Sequence, residues 1–302
     1  MKNLHIAAAF AVLTAASLFS GAQAQSLKLE GTDRPIDVTA DKGIELQQDN
    51  KRVIARGNAK AVQGEVTVIG DELIADYRTN ANGASEVYRV FATGNVTMKS
   101  NSETATGTTA VYDFDKGVLV LEGETVSLVN PDGSVVAHRA LQYWSNERVA
   151  VAEGAAVAID KEKRHLYADK LIAFFKEAPA STPGAAKANT LTSNRGDISF
   201  IQGFGNVRME TAKEVVRGDR GTYNIETGIA TLDGAVKITQ NKSQLGGGFA
   251  VVNVKGGTSR LYGSAKEAGL QGVKENARVS ALIAPATKTD APATPETAKG
   301  KK

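Results

Sequence analysis

Ala92-Thr93-Gly94-Asn95-Val96-Thr97-Met98-Lys99 decides the fold. After the glycine, apolar and polar residues alternate with period two, so Val96 and Met98 share one face of a strand and Thr97 and Lys99 the other. The same pattern returns as Val207-Arg208-Met209-Glu210 after Gly205-Asn206 and as Val236-Lys237-Ile238-Thr239 after Gly234. Before the glycine lies a β-rich stretch, as in Val118-Leu119-Val120-Leu121 and Ile229-Ala230-Thr231-Leu232. A glycine at a fixed place between two such stretches is what a tight corner or a positive φ requires. Gly57-Asn58, Gly94-Asn95 and Gly205-Asn206 are also turn pairs in their own right.

Working outward, an apolar or aromatic residue precedes a glycine by eleven positions at Leu46/Gly57, Tyr112/Gly123, Tyr143/Gly154, Tyr223/Gly234 and Val252/Gly263. Tyr77/Gly94 and Phe174/Gly205 have the same form with insertions. The first members are spaced by 31, 35, 31, 31, 49 and 29 residues, a period near thirty once two insertions are removed. Such a period marks stacked repeats. No stretch after residue 24 carries a sustained helical period, and Val, Ile and Thr dominate the periodic segments. In the third and fourth repeats the apolar residues fall one place later, at Val126 and Leu128 and at Val157 and Ile159, which points to a bulge or longer turn. The predicted inward residues are Ile36, Val38, Val96, Met98, Phe114, Val126, Leu128, Val157, Ile159, Val207, Met209, Val236 and Ile238. Each is read equally well as plain core or as a contact for an apolar ligand.

Three segments stand outside the repeat. Residues 1–24 have Lys2, an apolar run from Ile6 to Phe19 and Ala22-Gln23-Ala24, the layout of a cleaved secretory signal peptide. The run is too short to span a bilayer, which needs roughly 20 residues, so an exported protein is expected. Residues 176–195 read as a flexible insertion inside the fifth repeat, and residues 264–302, rich in Ala, Lys, Thr and Pro, as a disordered tail. The β body is thus expected over residues 25–263.

Charge and composition exclude several functions. The chain has 302 residues, 36 Lys and Arg against 33 Asp and Glu, and a formal net charge of +3. The excess sits in the leader and the tail, and the body between them carries about −1, so no nucleic-acid footprint is expected. With no Cys there is no thiolate metal site and no Cys nucleophile, and of three His, His5 lies in the leader, which leaves His138 and His165, too few for most His-based metal or triad sites. No cofactor is expected. The carboxylates that could serve a polysaccharide-active enzyme are Asp113 and Asp115 in YDFD and Asp160 beside Lys161-Glu162-Lys163-Arg164. They sit in turn-like contexts, and no phosphate-binding loop or nucleophile elbow accompanies them. An enzyme is the least favoured reading.

The order of short motifs resembles the LptA/OstA family of periplasmic lipopolysaccharide-transport proteins. It runs from Thr32-Asp33-Arg34-Pro35-Ile36-Asp37-Val38 through Ala40-Asp41, Ala55-Arg56-Gly57-Asn58-Ala59, Gly70-Asp71-Glu72-Leu73, Ala92-Thr93-Gly94-Asn95-Val96 and Ala110-Val111-Tyr112-Asp113. Gly218-Asp219-Arg220-Gly221-Thr222-Tyr223 and Leu232-Asp233-Gly234-Ala235-Val236 repeat the signature, so the resemblance covers about residues 30–263. It implies an all-β, elongated, twisted and slightly open β-jelly roll, a solenoid-like stack of antiparallel strands whose apolar interior holds the acyl chains of lipid A. It implies passage of lipopolysaccharide from an LptC-type inner-membrane subunit to an LptD-type outer-membrane protein, and periplasmic residence. By motif alignment it marks Thr32, Ile36, Met98 and Phe114 as lipid-facing and Arg78 as a basic rim position for a lipid phosphate. Strand edges near Pro35–Ala40 and Phe249–Val254 are expected to join copies head to tail. The long C-terminal extension departs from shorter members. An LptC-type subunit and a structural β-solenoid without lipid remain the alternatives.

Overall fold

Every described element is a strand, as the Val, Ile and Thr content and the two-residue period require. The computed structural model describes residues 28–29, 36–79, 81, 83–177, 197–270 and 278–283. The predicted leader, Thr32, nearly all of the 176–195 insertion and the end of the tail lie outside them. The strands are β1 (Lys28–Leu29), β2 (Asp37–Thr39), β3 (Ile44–Gln47), β4 (Arg52–Gln63), β5 (Val66–Thr79), β6 (Ser85–Lys99), β7 (Thr104–Asp113), β8 (Val118–Glu122), β9 (Val126–Asn130) and β10 (Gly133–Ala137). They continue with β11 (Ala140–Trp144), β12 (Val149–Asp160), β13 (His165–Phe175), β14 (Ile198–Glu210), β15 (Val215–Asn224), β16 (Ile229–Gln240), β17 (Ser243–Asn253), β18 (Thr258–Tyr262) and β19 (Ser280–Leu282). All pairings are antiparallel except that of β1 with β6.

The glycines of the repeat bend the long strands. Gly94 and Asn95 have φ of 73° and 49°, Gly205 and Asn206 of 71° and 50°. The ladder skips two residues there, resuming at Val96 and Val207. Two successive left-handed residues re-aim the chain, and glycine takes the first place because a Cβ on Gly94 would come within 2.0 Å of the Asp71 carboxylate. The asparagines then tie the bends together, with Asn58 donating to Asp41 at 2.7 Å, Asn95 to Asp71 at 3.2 Å and Asn206 to Asp169 at 2.9 Å. Stacked one over another, the bends form a spine from which two walls diverge. At the other end of each wall lie hairpin turns, which form its lip.

Register carries an unbroken apolar row across each wall. In the first wall, from β2 to β19, the row is Val38, Ala61, Val68, Met98, Ala105, Leu128, Val135, Ala158, Leu166, Met209, Val216, Ile238, Leu245 and Ala281. In the second, from β3 to β18, it is Ile44, Ala55, Leu73, Ala92, Ala110, Leu121, Leu141, Ala152, Leu171, Gly203, Gly221, Leu232, Ala250 and Leu261. Half of these residues belong to one buried cluster, with Val216 and Ala250 fully buried, and most of the others pack against it. At ~4.8 Å per strand, each row runs on the order of 60 Å.

Three expectations are corrected. Val157 and Ile159 do not face inward. Gly154 and Ala155 make the ordinary left-handed bend, with φ of 91° and 44°, so Ala156 and Ala158 take the inner places, while Val157 pairs with Tyr167 and Ile159 with His165 on the outside. Alanine is too small to stand out in an apolar alternation, which hid the register. At the third repeat the longer turn is present, since Gly123 to Thr125 separate β8 from β9 and Val126 lands inside. Next, Phe249–Val254 is not the outer edge. β18 pairs with Phe249–Asn253, and Ser280–Leu282 pairs with Gln244–Gly246, so β18 and β19 are the last strands at that end. Finally, β19 makes part of the expected disordered tail ordered, because Ser280-Ala281-Leu282 continues the pattern with Ala281 facing in and Leu282 out.

Candidate functional site

The space between the walls is the one place where the sequence-predicted residues converge. Ile36 is buried beside the head of the first row, and Val96, Met98, Val126, Val207, Met209, Val236 and Ile238 are buried members of the interior cluster. Val38 and Leu128 pack against it, half-buried. Phe114 lies just beyond β7, its ring 4.3 Å from that of Tyr112, a neighbour of the second wall's inner row. Its amide donates to the Tyr88 carbonyl at 3.0 Å, which fixes it at the lip.

The apolar row of the second wall was not foreseen. Its residues lie in the half-strands before each repeat glycine and in the antiparallel half-strands paired with them, where both faces are largely apolar. Next to the inward Ala55, Leu73, Ala92, Ala110 and Leu121 run Ile54, Ile74, Phe91, Val111 and Val120 on the outer face. With no alternation, period alone could not tell which set is inside. The signal that could have found them is the stack itself, since a wall of alternating residues needs an apolar wall to face.

Neither inner row contains a charge. Ionic groups are held on the outer face or at the lips, mostly as directly opposed cross-strand pairs. Arg52 binds Asp76 at 2.6 Å, Arg56 binds Glu72 at 2.8 Å, Arg89 binds Asp113 at 2.8 Å and Lys170 binds Glu153 at 2.9 Å. Burial alone would raise the Asp113 carboxyl, but the Lys116 amide and the Arg89 guanidinium outweigh it and hold the group below the usual carboxylate range. Glu153 is lowered first by its bond from Lys170 and then by that from Arg139.

The three carboxylates with possible catalytic chemistry are all engaged in ion pairs. Asp113 holds Arg89, Asp115 accepts from Arg78 at 2.7 and 2.8 Å, and Asp160 holds Arg164 at 2.5 Å. Arg78 itself stands at the lip between Asp115 and Glu86, the latter at 3.1 Å, and both raise its affinity for the proton. A lipid phosphate at Arg78 would have to compete with two carboxylates. Among the described residues no cluster of His, Asp and Glu has the form of a metal site, and no helix is long and apolar enough to cross a membrane.

The bend, the paired walls and the two apolar rows recur along the chain, and the family model described as "LptA/(LptD N-terminal domain) LPS transport protein" matches twice, over residues 37–148 and 136–258. The chain belongs to this lipopolysaccharide-transport family. An uncharacterised protein of Rhizobium meliloti (strain 1021) is 30% identical over 135 residues, spanning 41% of this chain and 72% of that protein. Among solved structures the chain is similar to LptH from Pseudomonas aeruginosa, described as the LptA-homologous periplasmic component of the lipopolysaccharide transport device. The identity is 13%, with 84% of this chain and 97% of that one covered at a TM-score of 0.22. Family membership assigns the chain to lipopolysaccharide transport. β19 lies beyond the matched segments.

Proposed function

We propose that the protein binds lipopolysaccharide in the periplasm, shields the lipid A acyl chains between its two walls, and passes the lipid from an LptC-type subunit to an LptD-type protein. The observation that carries this reading is the continuity of the two inner rows from the first strands to the last. An acyl chain exposed to water costs about 0.8 kcal/mol per CH₂, and a channel interrupted by one polar layer would concentrate that cost at one step. The Ala and Gly positions of the second wall, among them Ala92, Ala110, Gly203 and Gly221, leave room opposite the larger side chains of the first. Binding requires the walls to part, because the inner side chains pack against one another in a single cluster. Ile36, Met98 and Phe114 would line the entry half, and Val207, Met209, Val236 and Ile238 the exit half.

Transfer between proteins would use the terminal strands. β2 at one end pairs only with β4 among the described strands, and β18 and β19 close the other. Exposed Ile44 and Leu46 at the first end, and Val279, Leu282 and Ile283 at the second, suit strand addition that continues the rows into a second copy. Val38→Pro should weaken docking to an LptC-type partner more than it lowers the melting temperature, as read by pull-down and thermal unfolding. Equal loss of both would contradict edge docking. For cargo, the test is lipid extraction from the protein purified out of its native envelope, together with a lipopolysaccharide titration. Copurified lipopolysaccharide and a melting temperature that climbs with ligand support the carrier reading, whereas a lipid-free protein with no shift refutes it.

A further inference from the structure

On the outer face of the first wall, Tyr167, Arg208, Arg217 and Lys237 face one another directly across β13, β14, β15 and β16. Three cations in adjacent register lie within about 10 Å of each other at the ordinary strand spacing, and like charges opposite one another destabilise a sheet. The arrangement contrasts with the cross-strand pairs in which Arg52, Arg56, Arg78, Arg89, Lys170 and Arg220 each stand opposite a carboxylate they bind. Arg217 and Lys237 are exposed and have no acidic partner among the described residues, and only Arg208 has one, Glu210.

Arg208 is positioned by an aromatic ring. Its guanidinium carbon lies 4.4 Å from the centroid of the Tyr167 ring, and its Nε is buried without a hydrogen-bond partner. Arg278, just before β19, lines the depression beside Lys237 and adds a fourth cation. The row runs two or three residues, roughly 7 to 10 Å, behind the lip formed by the turns at residues 211–214 and 241–242.

We propose that this cationic row is a binding site for phosphate monoesters, occupied by the phosphorylated sugar headgroup of the cargo as it folds over the lip. The proposal rests on the carrier reading, which places the acyl chains between the walls and leaves the headgroup outside at the lips. A planar guanidinium with exposed neighbouring cations suits bidentate and bridging contacts to phosphate oxygens, and an anion there would relieve the repulsion along the row.

The test compares the full chain with the Arg217→Gln/Lys237→Gln double variant, both exposed sites whose loss leaves the interior untouched. Binding is measured for diphosphorylated lipid A and for the same lipid stripped of phosphate, and inorganic pyrophosphate is titrated separately by thermal shift. The expected result is roughly tenfold weaker binding of the phosphorylated lipid by the variant, unchanged binding of the stripped lipid, and a pyrophosphate shift confined to the wild type. Equal affinity of the wild type for both lipids would overturn the headgroup proposal while leaving the carrier reading intact. If neither lipid binds, the carrier reading and the headgroup assignment both fall, and a pyrophosphate shift confined to the wild type would then identify a site for free phosphate. No pyrophosphate shift in the wild type overturns the site itself.

Discussion

The N-terminal and C-terminal halves, matched separately over residues 37–148 and 136–258, share one plan of strand, left-handed bend and strand, yet handle charge differently on their outer faces. In the N-terminal half, arginine and carboxylate alternate in register, as in the row Arg52, Asp76, Arg89 and Asp113. The C-terminal half keeps such pairs in Lys170–Glu153 and Arg220–Asp233, but on its first wall Arg208, Arg217 and Lys237 occupy three successive places in one row. The interiors do not differ in this way, since both halves present uncharged inner rows. What the two halves share is therefore required by the fold and by an apolar interior. What separates them lies on a surface the fold leaves free.

The shared part is broken most severely at the spine. Gly94→Val and Gly205→Val each force a β-branched residue into a left-handed conformation against a carboxylate, with the new Cβ at 2.0 and 2.2 Å from Asp71 and Asp169. Each should cost ~3 kcal/mol or more in a denaturant melt, by similar amounts if the halves are equivalent at their bends. A next, smaller effect is expected at the paired charges. Arg89→Gln strips Asp113, which is only 8% exposed, of its closer cation, leaving Lys116 at 3.9 Å, and should cost about 1–3 kcal/mol. The wild-type contribution is sensitive to acid. Because the folded Asp113 and Glu153 carboxyls are lowered, their stabilisation is present above the ordinary carboxylate range, near pH 4, and is lost as pH falls through the lower folded values. A pH series of melts should show this loss, and Arg89→Gln should flatten it. The smallest effect sharpens the contrast: Arg217→Glu, which places an acid between two cations, should raise stability by a few tenths of a kcal/mol, more at low salt than at high. A decrease there would mean that the row is already neutralised in the folded protein.

The sequence made the bends and the first wall legible because each carries a local rule. Gly94-Asn95 and Gly205-Asn206 announce left-handed corners, and Val96/Met98 or Val207/Met209 announce a face by alternation. The second wall escaped because Ile54, Ile74 and Phe91 make its outer face as apolar as the inner, so period two vanished. Val157 and Ile159 were placed inside because Ala156 and Ala158, which hold the inner places, are too small to mark a face. Cross-strand partners cannot be read from spacing at all. The opposition of Arg208, Arg217 and Lys237, and the capture of Arg78 by Asp115 and Glu86, depend on register between strands that only the folded sheet supplies.

The central claim is that lipid lies between the walls along their whole length. Site-specific photo-crosslinking in cells making lipopolysaccharide tests it most directly, with probes at Met98 and Leu128 in one half, Met209 and Ile238 in the other, and the outward Thr97 and Val157 as controls. Lipopolysaccharide adducts from the four inner positions and none from the two outer ones are the predicted result. Absence of adducts from all four inner positions, or equal labelling from the outer pair, would contradict it.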